Sequence, residues 1–93
     1  MLDLSTVTHS DFEAVLQTMF QFPNGDGLQL IGVNKLPSPS PRQQAFSLLF
    51  AHPTLVLPQS IQALSHAQMG ELQVFLVPIQ PDGRGRLYEA VFN

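Results

Sequence analysis

Ninety-three residues, 44% hydrophobic and only 12% charged, fit one domain spanning 1–93 with one core, and that balance excludes disorder as the default state. Four Lys plus Arg against seven Asp plus Glu give a net charge of −3. The basic residues (Lys35, Arg42, Arg84, Arg86) form no run, which excludes non-specific nucleic-acid binding and adhesion to an anionic membrane. With no Cys in the chain, a disulfide framework, a thiolate zinc site and a cysteine nucleophile are excluded too.

The N-terminal stretch "MLDLSTVTHSDFE" carries acids where a secretory signal has a basic region followed by an apolar run. The longest apolar runs are a few residues, against the ~20 that span a bilayer. The expectation is a soluble, cytoplasmic protein. Within "VTHSDFEAVLQ" the pattern predicts a helix of two and a half turns. Thr8 is its N-cap, Asp11 sits at N3 near the positive end of the dipole, and Val7 staples onto Phe12. Phe12, Val15 and Leu16 then form one apolar stripe, and a helix this short must dock on something.

The remainder predicts strands. "QTMFQF" and "LQLIGVNKL" flank "PNGDG", a hairpin signature. "LPSPSPRQQ", Leu36 to Gln44, has prolines at alternate positions and predicts an exposed extended linker between two strands. "QAFSLLF" follows, then "AHPTLVLPQ" with its bracketing Pro53 and Pro58, then the short strand "SIQALSH". In "ELQVFLVPI", Leu72, Val74 and Leu76 share one face while Phe75, Val77 and Ile79 share the other. Apolar residues on both faces predict a central strand between two layers, with the ladder ending or bulging near Pro78. "RLYEAVFN" is the last strand. Together these predict a β-rich α+β domain: about six mostly antiparallel strands in a small sandwich or partial barrel, with one short N-terminal helix over an open end or face.

No catalytic or metal constellation emerges. His9, Asp11 and Glu13 point in different directions around a helix start, and His52 and His66 read as turn residues at strand ends. Ser47, flanked by Phe46 and Leu48, reads as a polar outward position on a strand and not as a nucleophile. Glu71 and Glu89 fall on the last two strands but do not meet, so they form no acid/base pair. "PDGRGR", Pro81 to Arg86, resembles half of a phosphate-binding glycine loop, yet it joins two strands where such loops join a strand to a helix. Pro-Asp-Gly is turn chemistry. No cofactor is implied, and the candidate contacts to a ligand or partner are Arg42, Arg84 and Arg86.

The ordered set "FSLLF" (Phe46 to Phe50), Leu57-Pro58, "GEL" with "FLVPI" (Gly70 to Ile79), a Pro-Asp-Gly turn and the terminal "YEAVFN" (Tyr88 to Asn93) resembles a family of small bacterial proteins, the domain of unknown function numbered 6916. The resemblance spans nearly the whole chain. It implies no activity and carries no catalytic residues with it; it does imply a place beside phage-tail-collar or fibre-like proteins. Members often have an Arg-rich approach to "FSLLF"; this chain has only Arg42 and two glutamines there, which argues against anion binding by that segment.

Two functions follow as expectations. One is a non-enzymatic interaction or assembly domain, accessory to a phage-tail-like or fibre protein, because the apolar residues exceed one small core and homodimerisation or a protein partner would cover the surplus. The alternative is a small β-barrel binding an apolar or anionic small molecule in a cavity lined by Phe46, Phe50 and Phe75, with Arg84 or Arg86 at its mouth.

Overall fold

The computed structural model describes residues 7–36 and 45–92. Most of the proline-rich linker, including Arg42, therefore lies outside the described residues, as does the N-terminal stretch before Val7. Helix α1 covers His9–Glu13, and six strands follow: β1 Met19–Gln21, β2 Gly27–Leu36, β3 Ala45–His52, β4 Ser60–His66, β5 Gly70–Asp82 and β6 Gly85–Phe92.

All neighbouring strands are antiparallel and run in the order β1-β2-β3-β6-β5-β4, with β4 returning to β1. Of the two forms expected, the barrel is the one that forms, and its ring is closed. The first three strands make a meander, and the chain then crosses one end of the barrel so that β4 lies beside β1. The spatial order 4-1-2-3 is a Greek key. Closure through Gln21 and Ser65 shortens the exposed sheet edge to the part of β4 before that pair and the part of β2 beyond β1.

Alternation sorts the core. In the β3–β6 pair, Phe46, Leu48 and Phe50 stand opposite Phe92, Ala90 and Tyr88, and all six are buried. Leu28, Leu30, Leu64, Leu72, Val74 and Leu76 complete the interior from the other strands. An eight-stranded ring is just wide enough for side chains to fill; six strands leave less room, and Phe rings occupy it. Phe46 and Phe92 stack with centroids 4.7 Å apart, and Phe20 meets Phe50 edge-on at 5.5 Å. The alternative reading places a small molecule in a Phe-lined cavity. Of its three proposed lining residues, Phe46 and Phe50 are core, and Phe75 lies on the outside, 50% exposed.

The helix plugs the barrel end where β3 begins. The Asp11 carboxylate accepts the Thr8 N–H at 2.9 Å and the Thr8 hydroxyl at 3.3 Å, fixing the first turn. Phe12 then reaches the rings of Phe46 and Phe92, at 5.9 and 5.7 Å. The helix is shorter than its sequence pattern predicts, because the Gln17 N–H donates to Leu30 C=O of β2 at 2.7 Å instead of continuing the helical ladder. Gln17 takes up the change of direction with φ +68°. Val15 stays buried while Leu16 turns outward.

Strand β5 corrects a second expectation. It lies between β4 and β6 in the sheet, as a central strand should, but among the described residues no second layer covers its outer face. The ladder with β6 does break near Pro78, through a register shift between Ile79 and Asp82.

Candidate functional site

Charged groups gather at the barrel end opposite α1. The β1–β2 turn brings Asp26 there, β3 delivers His52 as its last residue, and the β5–β6 turn adds Asp82 and Arg84. Met19, Asp26, Gln29, His52, Pro53 and Arg84 line an open cleft between them.

The cleft offers little free chemistry. His52 Nδ1 accepts the N–H groups of Thr54 at 3.0 Å and Leu55 at 2.8 Å, while Nε2 lies 3.1 Å from one Asp26 carboxylate oxygen and 3.2 Å from the other. With Nδ1 an acceptor, Nε2 carries the proton and donates it to Asp26. Both ring nitrogens are engaged, so the imidazole holds the start of the crossover in place and has no lone pair for a general base. The Gly27 N–H and the His52 ring hold the Asp26 carboxyl below its usual range.

Arg84 is committed in the same way. Its guanidinium forks onto Asp82, Nη2 to Oδ2 at 2.8 Å and Nε to Oδ2 at 3.1 Å, and the Arg84 N–H donates to Asp82 Oδ1 at 2.7 Å. The pairing lowers the Asp82 pKa and raises that of Arg84. "PDGRGR" is the turn of the β5–β6 hairpin, with Asp82 opposite Gly85. Arg86 lies opposite His52 in the β3–β6 register, exposed, with no hydrogen-bond or ion-pair partner among the described residues. Of the three arginines singled out by sequence, one is spoken for, one is free and Arg42 lies outside the described residues.

The other candidates separate. Glu89 stands opposite Val77, and Glu71 opposite Ser65 on the far flank of β5, so the two acids do not meet. Ser47 is on the outward side of β3, but it is 2% exposed there, between register partners Asn34 and Val91, and not the open polar position expected. One pair does come together, against the expectation that His9 and Glu13 point apart: His9 Nδ1 lies 3.1 Å from Glu13 Oε1, because positions i and i+4 share a helix face. His66 ends β4 and is buried, and burial lowers its pKa. No group of three or more metal-ligating side chains occurs among the described residues.

What sequence patterning did not locate is the outer apolar face. Ile61 of β4 stands opposite Phe75 of β5; Val91 lies two residues beyond Glu89, the partner of Val77, and Ile79 lies two residues beyond Val77 in the other direction, all on the outer side of the sheet. These four are 66, 50, 48 and 39% exposed. The signal was present as the second apolar face of "ELQVFLVPI", there assigned to a covering layer.

The fold and its paired charges define a small helix-plugged six-stranded barrel with an apolar flank exposed among the described residues. The chain belongs to the family described as Domain of unknown function (DUF6916), whose profile matches residues 7–92. No curated protein and no solved structure matches it. No helix among the described residues is long and apolar enough to cross a membrane.

Proposed function

We propose that this domain is a non-enzymatic interaction module that acts in the cytoplasm and docks a protein surface, another copy of itself or a partner, on its β4–β5–β6 flank. The observation that carries the reading is the cross-strand pair Ile61 and Phe75 together with Val91 and Ile79, four large apolar side chains exposed on the outer side of one flank. Such a patch on a small domain is a characteristic docking surface. The engagement of His52 and Arg84 in intramolecular bonds supports a role without chemistry. An accessory place in a phage-tail-like or fibre assembly is the finer form of this reading, and it rests on the family resemblance.

The test pairs affinity capture from the native cell with sedimentation, each run on the wild-type chain and on a Phe75→Ser, Ile61→Ser double variant. Loss of a captured protein, or of self-association, in the folded variant supports the docking flank. Identical capture and identical mass for both chains overturn it.

A further inference from the structure

We propose that His66 is an acid-sensitive latch between the α1–β1 segment and β4, and that protonating its imidazole opens the barrel along that seam. The seam is the narrowest join in the ring. Strand β1 has three residues, and its ladder with β4 is the single pair Gln21–Ser65, whereas β4 and β5 share seven register pairs.

His66 bridges this join with a fixed tautomer. The Thr18 hydroxyl donates to Val15 C=O, so its oxygen is left to accept, and His66 Nε2 donates to it at 2.7 Å. On the other side of the ring, Nδ1 accepts the N–H groups of Gln68 at 3.0 Å and Met69 at 3.3 Å. That set admits only the neutral Nε2–H imidazole. A second proton has to go on Nδ1, where two N–H groups already point, so protonation sets donors against a donor, breaks the turn contacts and releases the hold that keeps the ring in reach of Thr18 across the seam. The ring is also 9% exposed and lies against Phe20, centroids 4.5 Å apart, where a positive charge is poorly solvated.

Among the described residues no acid compensates: His9 has Glu13 and His52 has Asp26, but His66 has neither a carboxylate nor any other charged partner there. Among the described residues, the ionisable groups on the elements around it are His9, Asp11 and Glu13 of α1, Glu71 of β5 and, at the far end of that strand, Asp82. Asp11 is engaged by Thr8, Glu13 by His9, and Glu71 is exposed beside Gly70, the cross-strand partner of His66. β1 and the 67–69 turn contribute none. Burial lowers the folded-state pKa of His66, so the open state takes up the proton first. The latch is fully closed above the ordinary histidine value of about 6.5 and weakens as pH falls below it.

The test is amide hydrogen exchange on the full chain, read as protection factors between pH 7.5 and 5. Imidazole NMR shifts in the same samples report the titration and tautomer of His66. The amides of Gln17, Thr18, Gln21 and Ser65 should lose protection by up to about tenfold per pH unit below 6.5, while Leu48 and Phe50 in the β3–β6 ladder keep theirs. His66→Asn, whose side-chain oxygen can still accept the turn amides, should flatten that dependence. If this variant does not fold, Thr18→Val provides the second reading, by loosening the seam at neutral pH and flattening its acid response. An Nδ1–H tautomer at neutral pH overturns the latch, as does seam protection that tracks the β3–β6 ladder at every pH or an unchanged pH response in the folded variants.

Discussion

At the scale of single residues, the end opposite α1 is held by groups that look replaceable in sequence. The Tyr88 hydroxyl accepts the Leu57 N–H at 2.8 Å and donates to Leu55 C=O, tying the β3–β4 crossover to the barrel wall. Tyr88→Phe keeps the buried ring but strands those backbone groups, and should lower unfolding free energy by about 1–3 kcal/mol in denaturant titrations. Gly85 has φ +110°, and a Cβ there would lie 2.6 Å from the His52 carbonyl oxygen. Gly85→Ala should therefore cost at least about 1–3 kcal/mol from backbone strain alone, with the clash added. Arg84→Ala, one residue earlier in the same turn, removes only an exposed pair with Asp82 and should leave the melting temperature essentially unchanged. That contrast distinguishes a turn from a ligand loop: the glycine is indispensable and the arginine is not.

At the scale of elements, α1 and β6 carry the most. α1 is too short to be stable alone, and its contribution is Phe12, fully buried among Phe20, Phe46 and Phe92. Phe12→Ala should cost about 3–5 kcal/mol by calorimetry or denaturant unfolding. β6 lies between β3 and β5, so deleting Tyr88 to Asn93 removes a shared wall, the stacked Phe92 and the Tyr88 tether together. The truncated chain should show no cooperative unfolding transition. Strand locations were legible in sequence because alternation and turn residues are local: "SIQALSH" coincides with β4, and "PDGRGR" falls at the β5–β6 turn. Helix length was not, because Leu30, thirteen residues downstream, captures the Gln17 amide.

At the scale of the whole molecule, the barrel divides its apolar residues between a packed interior and one exposed flank. Phe75→Ser and Ile61→Ser lie on that flank, and each should change stability by no more than about 0.5 kcal/mol while abolishing association. Destabilisation comparable to a core substitution would show that the flank belongs to the fold. The candidate site was only partly legible in sequence. The arginines were visible as residue types, but their availability depends on neighbours, and Arg84 is claimed by Asp82. The Asp26–His52 pair joins residues 26 positions apart, which no local pattern reveals.

The amino-acid sequence by itself determined the strand positions, the capped start of α1, the hairpin turns and the absence of cysteine chemistry, because each depends on neighbours within a few residues. It also carried the family resemblance, and the family profile matches residues 7–92. Only the tertiary structure decided that the ring closes, which face of β5 meets water, and which histidines have acids beside them. Those outcomes turn on pairings between distant segments, where the burial of one face, the exposure of the other and the partner of each polar atom are settled together.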